Sequence, residues 1–129
     1  MIPDYRIQKY IDLVRKAPYK MCEEQYQLCD IIEKIFETEE LVVDSEQLDK
    51  YLAFQKYFPF DLLDWEVFCF ALHNCVYKKN GQLRFPVLLI YVGRGAGKNG
   101  YLGFEDFCLL TPVNGIKHYN IDIFAMSEQ

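Results

Sequence analysis

No stretch of this sequence approaches the roughly 18 consecutive apolar residues that a membrane-spanning helix needs, so none is expected. The N-terminus, Met1-Ile2-Pro3-Asp4, carries neither the charged region nor the apolar core of a secretory leader. Basic charge is scarce: 14 Lys and Arg stand against 19 Asp and Glu, a net charge of −5. Phosphate contacts dominate nucleic-acid affinity, so this segment is not expected to be a main DNA-gripping surface. There is no Cys-x-x-Cys pair. The five cysteines, Cys22, Cys29, Cys69, Cys75 and Cys108, are odd in number and sit among apolar residues. They read as buried small hydrophobes in a reducing compartment rather than as disulfides or metal ligands. Internal repeats and low-complexity tracts are also missing.

What is present is a 129-residue chain, 51% hydrophobic and 26% charged, with 10 Tyr and 10 Phe. That is enough for a compact core and is globular in composition. The aromatic share favours large packed surfaces, some suited to a partner.

Hydrophobic spacing predicts mainly helices at first. Asp4 can cap a helix with Ile7, Tyr10, Ile11 and Val14 on one face, ended by Pro18. A second helix is expected over residues 20–38, with Met21, Leu28, Ile32, Ile35 and Phe36 as its stripe. The acidic run 37–40 reads as a solvated connection. Asp44, three before Gln47, would open a third helix over 45–57, stopped by Pro59. A fourth starts near Asp61 or Asp64, with Trp65, Phe68, Cys69, Leu72, Cys75 and Val76 as its stripe, before a turn at Lys78-Lys79-Asn80-Gly81.

The character then changes. Residues 85–92 form a nearly continuous apolar run, as in a strand buried on both faces. The run leads into Gly93-Arg94-Gly95-Ala96-Gly97-Lys98-Asn99-Gly100. A helix from about Tyr101 to Leu110, a turn at 113–115 and a second strand over 118–125 follow. Glu105 and Asp106 read as a solvated helix face.

The glycine run is the stretch that carries chemistry. Glycines let consecutive N–H groups approach a phosphate with no Cβ in the way, and the following helix points its positive end at the same place. Lys98 supplies a cation for outer phosphates. The run fits either a generic glycine-rich turn or a phosphate cradle, and its strand-loop-helix setting favours the cradle. The Asp64-Trp65-Glu66 segment reads, by itself, as an acidic helix N-terminus with an aromatic core.

Taken in order, the Met21-Cys22-Glu23-Glu24 helix, the Leu62-Leu63-Asp64-Trp65-Glu66-Val67-Phe68 segment, the 78–81 turn, the apolar run and the Gly-Arg-x-x-Gly-Lys loop resemble the N-terminal part of the ATPase domain of the tailed-phage terminase large subunit. The resemblance covers essentially the whole chain. It implies an α/β fold: an N-terminal helical segment, residues 1–82, with the adenine-motif-like region, then the start of a P-loop ATPase core, residues 83–129, as a truncated β-loop-α-β unit. In that class the two strands flanking the loop and its helix are not sheet neighbours, so another chain or a rearranged pairing would have to cover them.

The resemblance further implies ATP and Mg²⁺ as cofactors. Arg94 and Lys98 would be catalytic, with Gly93, Arg94, Gly95, Ala96, Gly97, Lys98 and Asn99 around the phosphates, Asn99 at the metal, and Trp65 and Glu66 at the adenine. Two positions depart from the family: Asn99 replaces Ser or Thr, and Glu66 replaces a Gln that both donates and accepts. The acidic motif that activates water and the nuclease domain do not occur in these residues. The whole motor would act in the host cell cytoplasm on double-stranded DNA, with a small terminase subunit and a portal as partners, no membrane, and homo-oligomers expected. A second function class is a non-catalytic interaction module docking other packaging proteins.

Overall fold

The computed structural model describes residues 2–90, 98–116 and 119–122. The fold is mixed α/β and mostly helical. Helices α1 (Tyr5–Lys16), α2 (Glu23–Thr38), α3 (Ser45–Ala53), α4 (Asp64–Cys75) and α5 (Lys98–Leu109) surround one core, with strands β1 (Leu41–Val43) and β2 (Val76–Lys78) forming a small antiparallel sheet. Short 3-10 turns at Phe54–Tyr57 and Pro112–Asn114 extend α3 and follow α5.

Helix α1 forms as its spacing predicts: Ile7, Tyr10, Ile11 and Val14 are buried, and the Asp4 carboxylate accepts from the Arg6 amide. Helix α2 keeps Ile32, Ile35 and Phe36 of the expected stripe on its covered face and adds Cys29. Cys29 and Ile32 are buried and Phe36 is half-buried, while Leu28 faces solvent and Met21 lies ahead of the helix. In α3, Asp44 accepts from the Gln47 amide at 2.9 Å, and Leu48 and Tyr51 face inward.

Helix α4 is the central element. Phe68, Phe70, Ala71, Leu72 and Cys75 are all buried, together with Glu66 and Asn74. Helices α1 and α3 pack on it through backbone proximity. Helix α5 meets it through side chains, with Phe70 ringed by Tyr101 at 6.4 Å and Phe104 at 5.5 Å. The core therefore runs without a break from Ile7 to Cys108.

Three expectations need correcting. Val76 does not continue α4 but starts β2, paired with Val43; the short β1 segment went unforeseen because the acidic run beside it read as a connection. Residues 85–90 form no strand. Their neighbours Leu83 and Arg84 take the free edge of β2, where the Arg84 amide donates to the Val76 carbonyl, and the chain leaves the sheet there. Only one side of the segment is covered: Leu88 and Ile90 are half-buried, whereas Val87 and Leu89 are 84% and 85% exposed. Among the described residues it has no strand partner, so it is not a strand buried on both faces. Residues 91–97, with Gly93, Gly95 and Gly97, and most of the second predicted strand lie outside the described residues; 119–122 form no strand.

The cysteines also divide. Cys29, Cys75 and Cys108 are buried as expected, but Cys22 is exposed and Cys69 half-buried, and all five are free thiols.

A polar knot joins the starts of α1 and α3. Asp4, 2% exposed, accepts from the Arg6 guanidinium at 3.0 Å and the Ser45 hydroxyl at 2.6 Å, while Arg6 also reaches Asp49. Burial by itself would raise the Asp4 carboxyl, but the hydrogen bonds from Arg6 and Ser45 outweigh it and hold the group below its ordinary value. A lowered folded value contributes stability that is present above pH ~4 and is lost as pH falls through the folded value. Asp4→Ala is expected to cost about 2–4 kcal/mol, by loss of a cap and stranding of Arg6. Urea unfolding at pH 7 and pH 3 checks this: the difference between wild type and Asp4→Ala should shrink at the lower pH.

Candidate functional site

Of the candidate residues, Trp65 and Glu66 lie on α4 and Lys98 and Asn99 on α5, and the two helices meet where Trp65 faces Tyr101. Lys98 opens α5, so the glycine run ends where the helix begins. Gly93, Arg94, Gly95, Ala96 and Gly97 lie outside the described residues; Asn99 is exposed. No acidic residue occupies the first turn of α5, so nothing there neutralises the positive end of its dipole.

The start of α5 is held against an aromatic shelf. A Cβ placed on Gly100 would stand 3.3 Å from the Phe60 ring, so glycine permits this close approach. Phe58 stacks edge-on against Phe104 at 5.4 Å and Phe107 at 5.6 Å. Trp65 of α4 lies nearly parallel to Tyr101 of α5, ring centroids 6.5 Å apart.

Trp65 also lines a groove of about 480 Å³, whose walls include Tyr10, Gln25, Phe68, Leu88 and Ile90. Ile90 is the last described residue before the glycine run, so the groove opens beside it. The walls are mainly apolar and aromatic, with one fixed polar unit. Gln25 accepts from the Cys22 amide at 3.2 Å and donates to the Tyr10 hydroxyl at 3.1 Å. Cys69, also on the groove, has its thiol pushed up to about 11 by burial and by the negative charges of Glu105 and Glu66. It is a poor nucleophile at neutral pH.

Trp65 and Glu66 part company. Trp65 reaches the groove, but Glu66 is 4% exposed and its Oε1 accepts from the Leu63 amide at 2.8 Å. That oxygen is engaged in closing the N-terminus of α4, as an acid at N3 of a helix does. For metal, the described residues contain no group of three or more His, Cys, Asp or Glu placed to hold an ion.

One polar group was missed. Glu105, expected on a solvated face, is 7% exposed. Its Oε2 accepts from the Asn74 amide at 3.0 Å and the Tyr101 hydroxyl at 2.8 Å. Burial, followed by the Glu105 charge, pushes the Tyr101 phenol far above its ordinary value. The spacing held a signal, since Tyr101, Glu105 and Cys108 fall on one helix face.

Comparison with protein-family models, curated proteins and solved structures found no match to this chain.

If Glu66 serves α4 as a cap, Glu66→Ala is expected to destabilise by about 1–2 kcal/mol and Glu66→Gln by less than about 0.5 kcal/mol, because an amide oxygen can accept the same bond. Chemical denaturation of both variants checks this; equal losses would show that the charge, not the hydrogen bond, matters.

Proposed function

We propose that the chain is the nucleotide-binding part of a DNA-packaging motor of the terminase large-subunit kind. The observation that carries the reading is the junction at Lys98. A Gly-x-Gly-x-Gly-Lys run leads directly into a helix, α5, whose first turn is free of acids. Such a junction offers consecutive amides, a dipole end and a lysine to a phosphate chain. The groove beside Ile90 supplies an apolar, aromatic wall with Trp65 for a base.

Lys98 and Arg94 would face the outer phosphates, with the amides of residues 95–98 around them, and ATP with Mg²⁺ is the expected form. Asn99, in place of a hydroxyl residue, would offer the metal only a carbonyl oxygen. Base selection would rest on stacking with Trp65 more than on Glu66, whose Oε1 already accepts the Leu63 amide.

A second reading has its own support. Val87 and Leu89 present an exposed apolar edge that would suit docking of another packaging protein.

A titration with a fluorescent ATP analogue decides between them. Saturable binding is expected below about 1 mM, weakened at least about tenfold by Lys98→Ala. No binding, with retention of a packaging-protein partner, would favour the docking module. Hydrolysis by these 129 residues is expected to fall well below ~1 s⁻¹, because the sequence after the glycine run has no strand ending in two acids to orient water. Faster turnover abolished by Lys98→Ala would overturn that expectation.

A further inference from the structure

We infer that Glu105 is a positioning residue: through Asn74 of α4 it fixes the rotation of α5 about its own axis and so the aim of the helix's first turn at Lys98, while Tyr101 of α5 holds its carboxylate in place. The functional consequence rests on the nucleotide reading above; the structural half stands without it.

The apolar contacts of α5, Tyr101 and Phe104 against Phe70, set how deeply the helix sinks. Hydrophobic contacts are tolerant of rotation, because burial is not directional. Hydrogen bonds are directional and weaken steeply as they bend. Glu105 Oε2 receives two of them, both from buried donors: one crosses from Asn74 on α4, and the other, from Tyr101 within α5, steadies the carboxylate. The amide of Asn74 is itself anchored on α4, where its nitrogen also donates to the Phe70 carbonyl at 3.2 Å. The acceptor on α5 therefore meets a donor whose place is set by the central helix.

A rotation of α5 about its axis would swing Glu105 away from Asn74 and break the bond between the two helices, leaving a buried carboxylate held only by Tyr101, which turns with it. Lys98 lies seven residues from Glu105, about two helical turns, so both fall on one face. A rotation fixed at Glu105 is carried by a rigid helix to the backbone amides at its start. Glu105 itself does not reach the phosphates in this scheme; it acts through the helix.

Trp65 gives an independent readout. It is the sole tryptophan of the sequence, and it lies against Tyr101, the residue that donates to Glu105. Its emission and near-ultraviolet circular dichroism report the setting of α5 without any ligand.

The experiment uses the 129-residue protein with Glu105→Gln and Glu105→Leu, followed by Trp65 emission, thermal unfolding and titration with the fluorescent ATP analogue. Glu105→Gln keeps an oxygen that accepts both bonds and should match wild type in all three. Glu105→Leu should unfold cooperatively, shift the Trp65 emission and weaken the nucleotide at least about tenfold. A folded Glu105→Leu protein with wild-type emission and affinity overturns the inference. If wild type binds no nucleotide, the nucleotide reading fails by itself; unchanged emission in Glu105→Leu then sinks the positioning role as well, and shifted emission sustains its structural half. If Glu105→Leu does not fold, Asn74→Ala, which removes the donor on α4 and leaves Glu105 and Tyr101 in place, should shift the emission, and wild-type emission there overturns the inference.

Discussion

Helix α4 can be buried along nearly its whole circumference because each polar group it turns inward is hydrogen-bonded. Glu66 closes the helix's own N-terminus, and Asn74 bridges to Glu105 on α5. Left unpaired, a buried polar group of this kind costs about 1–3 kcal/mol, a sizeable share of a small domain's net stability. The other elements depend on this arrangement. Helices α1 and α3 pack against α4, the strand β2 leaves from its end, and α5 is joined to it by the polar bridge and by rings.

The same arrangement connects the groove to α5. Trp65 belongs to α4, faces Tyr101 of α5 and lines the groove that opens beside Ile90. Wall and helix therefore share one side chain. A ligand spanning both would contact two elements whose relative setting is already fixed, and so would lose less entropy on ordering the site. The aromatic shelf of Phe58 and Phe60 also holds α5, at Gly100 and Phe104.

Sequence patterns are legible here where a single face is buried. Helix α1 shows a clean stripe, a cap and a proline stop, and it forms as those signs require. Helix α4 also announces itself, but burial all round lets its apolar pattern run on into Val76, where the chain has already become a strand. The 85–90 run shows the opposite failure. Its composition says that it can be buried, and nothing local says what will cover it, because strand partners are non-local. Here the covering comes on one side, at Leu88 and Ile90. Glu105 was missed because a charge is expected in water unless a partner is known, and its partner Asn74 lies 31 residues away on another helix. At the candidate site, a helix after the glycine run was readable from spacing, although it starts at Lys98 rather than near Tyr101, whereas the engagement of Glu66 in capping was readable only from geometry.

The departure at Glu66 is easier to understand in this setting. A glutamine there could cap the helix and still offer its amide hydrogens elsewhere; a carboxylate offers acceptors alone. With one oxygen on the Leu63 amide and the residue almost fully buried, little remains to distinguish one base from another. The groove wall is largely hydrocarbon and ring, and stacking on such a wall is tolerant of the base it receives because every base has a π-face. On the proposed nucleotide reading, these residues would separate two tasks that one motif is often asked to perform. Phosphate recognition would fall to backbone amides and cations at the start of α5, and the base would be held by shape and stacking, with selectivity weaker than affinity.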